Sequence, residues 1–226
     1  MKKSILTIAL LSSLSSMAFA NQGGDLLVRG GATMVTPDSG QTPIYLAGNN
    51  PEGLALSVDD NTQLGLNVVY FFDSNWAIEV LAATPFTHDV TIHDPQNALG
   101  AGVDGAKLAE VTHLPPTLSA LYYFDTGSAF KPYVGLGLNY TIFFDEEFEE
   151  ATQGLELTNL ELDGSFGYSV QVGLDYDLGG NWSVNGSARY IDISSDATFD
   201  VGGNNIGSAS IDVDPMVYSL MLGYTF

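Results

Sequence analysis

Hydrophobic and polar residues alternate with a period of two along most of the chain after residue 20. From Phe166 onward to residue 178, every second residue is apolar and the residues between are small or polar. Residues 62–72 and 216–226 alternate in the same way. Such alternation is typical of β-strands with one apolar and one mostly polar face. No stretch shows a comparably clear helical period.

Eight strands are predicted, and the chain offers no apolar run long enough for a transmembrane helix. Their approximate bounds are 25–35, 61–72, 76–87, 112–124, 131–144, 162–178, 182–196 and 209–226. Most exceed the ~5–6 residues of an average globular strand. They match the ~9–11 residues that a tilted strand needs to cross a bilayer.

The connections between these strands alternate between short and long. Residues 73–75, 125–130 and 179–181 form short turns. The long connections, which are polar or glycine-rich, lie near 36–60, 88–111, 145–161 and 197–208. Short turns at one end and long loops at the other are typical of outer-membrane barrels. The sequence therefore predicts an all-β fold, an eight-stranded antiparallel transmembrane up-and-down β-barrel with short periplasmic turns and long extracellular loops.

Aromatic residues are concentrated beside the short turns and at the end of the chain. They are Phe71, Phe72, Trp76, Tyr122, Tyr123, Phe124, Phe130, Tyr133, Tyr176, Trp182, Tyr224 and Phe226. In a closed barrel these positions share one end, where they would form an aromatic girdle at the membrane interface. The core of a soluble β-sandwich does not predict this concentration. A second cluster, which includes Phe86 and Phe143, is expected about one membrane thickness away.

The first 20 residues have the pattern of a secretory signal. Lys2 and Lys3 precede an apolar stretch over residues 5–14, and Ala18, Phe19 and Ala20 form a small-x-small cleavage site. The apolar stretch is too short to span a bilayer as a helix. Residues 1–20 are therefore predicted to be removed, and residues 21–226 to form the barrel.

Charge and cysteine content narrow the class of protein. Without Lys2 and Lys3 the chain keeps 27 acidic and four basic residues, a net charge of −23, which excludes nucleic acid as a partner. There is no cysteine, so an exported domain must be held by a large hydrogen-bonded framework and not by disulfides. Acidic residues in 145–150 could hold divalent cations, although a solvated loop is the simpler interpretation. No metal site and no cofactor are predicted.

Six blocks of the sequence resemble the OmpW family of outer-membrane proteins. The blocks are 61–66, 79–86, 113–117, 130–144, 171–176 and 223–226. The resemblance implies an eight-stranded barrel with a narrow, largely apolar lumen, proposed to pass small hydrophobic molecules across the outer membrane. It also implies insertion by the barrel-assembly machinery, which reads a C-terminal aromatic such as Phe226. Residues 37–60 depart most from the family pattern.

The predicted inward faces are rich in small residues. These are Gly65, Ala83, Gly135, Gly137, Gly173 and Gly223. The interior of an eight-stranded barrel is just wide enough for side chains or one small ligand. The small residues therefore either leave room for a narrow path or ease the curvature of the strands. By parity Leu81, Val69 and Met221 also point inward, so the lumen is not uniformly polar.

Leu81 and Phe166 are the candidates for the constriction of this path. The family resemblance implies an apolar constriction at both positions. The alternation points Phe166 outward, so its place in the lumen would require a β-bulge.

A buried charge cluster is predicted near the short-turn end. Arg29 lies on an inward face, and Glu79 and Asp175 lie inward at comparable heights. An unpaired charge inside a narrow barrel is costly. We therefore expect Arg29 to pair with at least one of these carboxylates, and the alternative is that it reaches the aqueous mouth.

Three prolines indicate a weak seam between the third and fourth strands. Pro85 lies nine residues after Trp76, and Pro115 and Pro116 lie about as far before Phe124. Proline gives no N–H to a ladder, and a closed barrel has no free edge where this is harmless. An unzipped seam near the outer-leaflet boundary would let a hydrophobic solute leave laterally into the bilayer. The alternative is that the prolines stiffen the base of a loop.

Histidines are the candidates for other chemistry. His88, His93 and His113 gather around one long connection, but no serine nucleophile motif accompanies them and their spacing fits no metal-ligand signature. Polar histidines at a loop base are the simpler interpretation, so a lipid-modifying enzyme is disfavoured. A structural or adhesive barrel with a closed lumen is the stronger alternative.

The predicted function is a narrow, largely apolar outer-membrane channel for the uptake of small hydrophobic molecules. The expected partners are outer-membrane lipid and lipopolysaccharide, the barrel-assembly machinery and a small hydrophobic ligand. A tightly packed polar lumen would favour the structural barrel, and a continuous apolar tunnel would favour transport.

Overall fold

A computed structural model describes residues 21–38, 40, 42–51, 53–100, 102–149 and 154–226. The described residues form strands β1 Leu26–Thr36, β2 Thr42–Pro43, β3 Tyr45–Leu46, β4 Ala55–Val58, β5 Asn61–Phe71, β6 Trp76–Ala83, β7 Phe86–His93, β8 Lys107–Leu114, β9 Thr117–Tyr123, β10 Phe130–Phe148, β11 Leu157–Leu162, β12 Ser165–Gly179, β13 Trp182–Ile191, β14 Ser194–Val201, β15 Asn204–Asp212 and β16 Met216–Thr225. The signal predicted for residues 1–20 lies outside the described residues. Within these ranges no helix is long and apolar enough to cross a membrane.

Eight of the strands close into an antiparallel barrel. Their order around the ring is β1, β5, β6, β9, β10, β12, β13 and β16. The ring closes because β16 pairs with β1, for example through Gly223 and Arg29. Each of these eight strands is hydrogen-bonded to a neighbour on both sides, so the ring has no free strand edge. The predicted eight-stranded barrel is confirmed.

The outer wall of the barrel is an apolar band. Outward residues such as Leu64, Leu136 and Leu220 are 64%, 67% and 66% exposed. Their inward neighbours along the strands, such as Glu79 beside Val80, are buried. An exposed apolar band of this kind is accommodated by the hydrocarbon of a bilayer.

Aromatic rings surround the barrel at the short-turn end. Trp76 packs edge-to-face on Tyr122 with ring centroids 5.0 Å apart, and Trp182 packs on Tyr224 at 4.9 Å. The ring of Phe226 lies 4.8 Å from Tyr224 on this outer surface. The predicted girdle is therefore present for the outward-facing aromatic residues. Phe71, Tyr123 and Tyr133 were also assigned to it, which is wrong, because the alternation along their strands turns them into the lumen, where they are buried. We call this end of the barrel the lower end.

Several of the predicted crossing strands break at the upper rim of the barrel. The strand predicted over 76–87 ends at Ala83, and β7 begins at Phe86 after Thr84 and Pro85. The strand predicted over 112–124 is likewise divided into β8 and β9 at Pro115 and Pro116. Each of these two breaks coincides with a proline. Proline has no backbone N–H to donate to a β-ladder, which explains why the strands end there. Strand β10 is different, because it runs through the rim as one strand of 19 residues.

The predicted long loops carry strands above the rim, which corrects their assignment as loops. One sheet continues from the upper part of β10 through β8, β7, β4 and β2, and a second contains β11, β14, β15 and β3. The two sheets share an apolar core that includes Ile92, Leu108 and Phe199. Once strands leave the membrane, their apolar faces need a partner surface, and each sheet provides it for the other. We call these two sheets the outer extension.

Candidate functional site

Four buried charges occupy the lower half of the barrel interior. Arg29 Nη1 donates to Glu79 Oε2 at 3.1 Å, and Arg29 also forms an ion pair with Asp175. Arg189 forms a second ion pair with Glu79. Arg29 and Glu79 are fully buried, and the other two side chains are nearly so. The two positive and two negative charges balance, so the cluster is neutral overall.

Amide side chains complete the coordination of these carboxylates. Glu79 also accepts hydrogen bonds from Asn67 at 3.0 Å and from Gln171 at 2.9 Å. Asp175 accepts one from Asn185 at 2.9 Å. A buried carboxylate is tolerated when such bonds replace its lost hydration. We call the set a polar plug, and it consists of Arg29, Asn67, Glu79, Gln171, Asp175, Asn185 and Arg189.

The plug separates a lower cavity from the rest of the lumen. A cavity of about 290 Å³ opens at the lower end, and Asp175 and Leu27 are among its walls. Val69, predicted to line the ligand path, lies one inward position below Asn67 on β5. There it packs with Leu27 and Phe71. Val69 therefore belongs to the lower side of the plug.

The inward glycines leave no open path, because neighbouring side chains fill the space beside them. A Cβ at Gly173 would overlap the ring of Tyr133, and one at Gly135 would lie 2.6 Å from Leu121. The spaces beside three further glycines are filled in the same way, at Gly65, Gly137 and Gly223. The glycines thus accommodate larger residues on adjacent strands.

Leu81 and Phe166 have different places in the structure. Leu81 is 4% exposed and lies one inward position above Glu79, where it borders a cavity of about 10 Å³. Met221, the remaining predicted lumen residue, is buried as well. Phe166 is 70% exposed on the outer wall, and β12 pairs with β10 there without a bulge that could turn it inward. The assignment of Phe166 to the lumen is therefore wrong.

An apolar cluster closes the upper lumen above Leu81. It consists of Val35, Phe86, Ile191, Ile193 and Val217. Phe86 was expected in an outer aromatic cluster, but it is 1% exposed and faces the interior. The break at the preceding proline shifts the alternation by one residue, so parity carried across it gives the wrong face. The proline itself was the signal that could have identified Phe86 as a lumen residue.

A gap in the β-ladder lies beside this apolar cluster. The ladder between β6 and β9 ends at the pair Leu81 and Thr117, and pairing resumes between β7 and β8 at Phe86 and His113. All three predicted seam prolines fall within the interrupted stretches. Of these, Pro115 is buried and borders the 10 Å³ cavity together with Ala83. Pro85 and Pro116 are exposed on the outer side.

Two histidines lie side by side in the outer extension. His88 Nε2 and His113 Nε2 are 3.0 Å apart, and the side chains line a cavity of about 40 Å³ between the two sheets. Burial, together with a smaller effect of the neighbouring His88, lowers the pKa of His113 to about 3. Burial also lowers the pKa of His88, against an opposing hydrogen bond to Asp59. The interpretation as polar loop-base histidines is wrong for this pair, because both rings are buried and neutral at neutral pH.

The third histidine makes a separate contact with a serine. His93 Nε2 lies 2.8 Å from Ser57 Oγ. A serine–histidine nucleophile also needs a group that orients the imidazole. No carboxylate in the described ranges forms an ion pair with His93, and no three ligand-type side chains there approach closely enough to hold a metal ion. This contact therefore supports no catalytic assignment.

The acidic end of β10 is held by a single lysine. Lys107 Nζ contacts carboxylate oxygens of Glu110 and Glu149 at 2.7 Å each and of Asp89 at 2.9 Å. These hydrogen bonds, above all the one to Glu110, raise the pKa of Lys107. Part of the predicted solvated acidic loop is thus tied to strands β7 and β8.

Comparison with known proteins identifies similar chains over the full length. The model of the OmpW family matches residues 22–226. The chain is 41% identical over 228 residues to outer membrane protein W of Vibrio cholerae, and the match covers all of both chains. It is similar to the crystal structure of the outer membrane protein OprG from Pseudomonas aeruginosa, with a TM-score of 0.82, 38% identity, and coverage of 92% of this chain and 98% of that one. It is also 26% identical over 226 residues to the dibenzothiophene metabolism operon protein PahQ of Pseudomonas aeruginosa, covering all of this chain and 99% of that protein.

Proposed function

The chain belongs to the OmpW family of bacterial outer-membrane proteins, and we propose that it forms a narrow channel for the uptake of small hydrophobic molecules. The observation that carries the proposal is the change of lining at Leu81. Below this residue the lumen is filled by the polar plug, and above it the cavities have mostly apolar walls. The solute enters through the outer extension, meets the constriction at Leu81 and leaves sideways into the bilayer.

The polar plug supports a lateral exit over a passage to the periplasm. A hydrophobic solute that continued downward would have to separate Arg29 and Arg189 from their carboxylates. Breaking a buried ion pair by removing its partner costs about 3–5 kcal/mol, and an apolar solute offers no hydrogen bond in return. A path through the wall avoids this cost.

The surroundings of the ladder gap also support a lateral exit. Leu64, on the neighbouring strand β5, is 64% exposed, and Ile142 on β10 is 46% exposed on the other side of the gap. Both are apolar, so the outer side of the gap faces hydrocarbon. The inner side borders the cavity at Leu81. A solute that reaches this cavity has only the unpaired segments between itself and lipid.

The cavities in this structure are those of a closed state. Their volumes are about 40 Å³ and 10 Å³, whereas an engineered cavity that binds benzene measures roughly 150 Å³. Phe86 borders the smaller cavity and stacks on His113, which lines the larger one. Passage therefore requires Phe86 to move, and its rotation would join the two cavities.

One relative supports the class of solute. PahQ is named for a dibenzothiophene metabolism operon, and dibenzothiophene is a flat, apolar aromatic molecule. Solutes of this chemistry suit walls made of valine, isoleucine and phenylalanine. The similarity supports the class of molecule and does not identify one compound.

A structural or adhesive barrel is the second candidate, and the packed lower lumen favours it. A barrel with this function needs a rigid interior, which the plug supplies, and needs no opening in its wall. The two functions differ in their dependence on Leu81 and on the prolines of the gap.

The test measures uptake of a fluorescent hydrophobic tracer by bacterial cells whose sole OmpW-family protein is this chain. Leu81→Arg should block the path, while Leu81→Met should preserve it because the side chain stays apolar and similar in volume. A variant with Pro115→Val and Pro116→Val should close the gap, because valine supplies the missing N–H and favours strand structure. Pro43→Val, an exposed change in the outer extension, is the matched control.

Uptake should fall in the Leu81→Arg and gap-closing variants and stay unchanged in the two controls. Normal uptake in a folded gap-closing variant would contradict lateral exit while leaving the channel intact. Normal uptake in a folded Leu81→Arg variant would exclude the lumen as the route and favour the structural barrel.

A further inference from the structure

His88 and His113 form a hydrogen-bond chain that ends on an unpartnered nitrogen. His88 Nδ1 lies 2.7 Å from the backbone oxygen of Asp59. A carbonyl oxygen only accepts, so His88 Nδ1 donates and the Nε2 of this neutral ring is the acceptor. His113 Nε2, 3.0 Å away, must then be the donor. This leaves His113 Nδ1 as a bare acceptor, and no described residue donates to it.

The unpartnered nitrogen is unusual because His113 is only 5% exposed. Nearly all buried polar atoms in folded proteins have a hydrogen-bond partner, and leaving one without a partner destabilises the fold. Protonation does not relieve the problem near neutral pH, because burial holds the pKa of this imidazole at about 3. His113 Nδ1 is therefore available to accept a hydrogen bond from a donor outside the described residues.

The surroundings of His113 are otherwise apolar. Its ring packs against Phe86 and Phe143, with centroids 5.6 Å and 5.8 Å apart. Val90 and Val111 line the same 40 Å³ cavity beside it. A small-molecule site typically combines apolar walls with a few polar groups that fix the orientation of the ligand. The cavity beside His113 has this composition, with mostly apolar walls and one unpartnered acceptor.

We propose that the cavity of the outer extension selects apolar solutes that carry one hydrogen-bond donor, which His113 Nδ1 accepts. Phenols, aromatic alcohols and N–H heteroaromatics belong to this class. The inference rests on the proposed function, because it specifies the solute of the same path. Anionic solutes are disfavoured, since a nitrogen lone pair offers them no donor. A second polar group is disfavoured as well, because the other walls are apolar except for His88, whose two ring nitrogens are already hydrogen-bonded.

The test compares phenol with toluene, which have similar shapes and differ by the hydroxyl donor. Affinity is measured in lipid nanodiscs by NMR titration of the Val90 and Val111 methyl groups, which line the cavity. The chains compared are wild type, His113→Phe, and His93→Phe as a matched change outside the cavity. Each probe partitions into lipid equally in all three samples, so the ratio of phenol to toluene affinity can be compared directly between them.

The ratio should fall about fivefold in His113→Phe, the effect of one net hydrogen bond, and stay constant in His93→Phe. In wild type, the imidazole ¹⁵N resonance of His113 Nδ1 should move with phenol and not with toluene, a measurement that does not depend on the folding of a variant. If the ratio of phenol to toluene affinity is the same in wild type and His113→Phe, or if phenol does not shift the Nδ1 resonance, the inference is overturned. Toluene binding to the cavity would in that case still support the proposed function. If neither probe shifts the two valines, the cavity is not on a solute path, and the proposed function fails with the inference.

Discussion

Glu79 and Arg189 form an ion pair across the full width of the barrel. Glu79 lies on β6 and Arg189 on β13, with three strands between them in either direction around the ring. Arg29 on β1 and Gln171 on β12 bond to the same glutamate. With Asn67 on β5, this carboxylate therefore joins β6 to four other strands of the barrel, and the lower half cannot widen without separating buried charges.

Replacing Glu79 alone should lower the free energy of unfolding more than replacing Glu79 and Arg189 together. Glu79→Leu leaves two buried arginines with only Asp175, so we expect a loss of about 3–5 kcal/mol of unfolding free energy. The double variant with Arg189→Leu restores charge balance and should recover most of that loss. The measurement is urea unfolding in lipid vesicles, followed by tryptophan fluorescence. Losses that simply add in the double variant would show that the two side chains do not depend on each other.

A second prediction concerns the packing of a glycine against an aromatic ring inside the barrel. Gly173→Ala places a Cβ in the ring of Tyr133, and overpacking of this kind costs about 1–3 kcal/mol. Gly186→Ala is the matched control, since nothing lies within 4 Å of a Cβ there and the residue faces outward. Thermal unfolding midpoints in detergent should fall for the first variant only. Combining Gly173→Ala with Tyr133→Leu should recover the midpoint, and failure to do so would point to a backbone effect.

The barrel follows from the sequence because its two faces have opposite chemical requirements. Lipid outside and a packed lumen inside enforce strict alternation, so parity from Trp76 to Leu81 identifies Glu79 and Leu81 as inward. The lumen is also narrow, so an inward arginine such as Arg29 must lie within reach of inward carboxylates on other strands.

At the upper rim of the barrel, alternation no longer identifies which residues face inward, and the sequence-based predictions are least accurate there. Parity counted through Thr84 and Pro85 puts Phe86 outside, whereas the break turns it into the lumen. Counted afresh from Phe86, alternation places His88 on the same inward face. The pairing of His88 with His113 depends on the register of β7 and β8, which the sequence of a supposed loop does not reveal.

The histidine pair makes the stability of the outer extension depend on pH. The pKa of His113 is about 3 in the folded chain and 6.5 in an unfolded one, so the unfolded state binds the proton first. Stability is fully present above about pH 6.5 and falls as the pH drops toward 3, by roughly 2–3 kcal/mol at pH 4.5 for this group. Asp59, Asp60 and Asp89 act in the opposite direction on His88.

The measurement is the thermal midpoint at pH 7 and at pH 4.5. The decrease on acidification should be smaller in His113→Phe than in wild type, while His93→Phe should behave like wild type. Equal decreases in all three would mean that the many surface carboxylates, and not the buried pair, set the response to acid.

The ladder gap can be closed reversibly, because the chain contains no cysteine that would interfere. Ala83 and Pro115 lie on opposite sides of the gap, two positions above the last paired residues, Leu81 and Thr117. With Ala83→Cys and Pro115→Cys, oxidation should join the two segments and lower tracer uptake, and a reductant should restore it in the same cells. The control pair, Val80→Cys and Leu118→Cys, links the same two strands at a position that is already paired. Its oxidation should leave uptake unchanged, because that part of the wall is closed in any state. If a bond across the gap forms, as judged by a mobility shift, and uptake persists, the solute does not leave through this part of the wall.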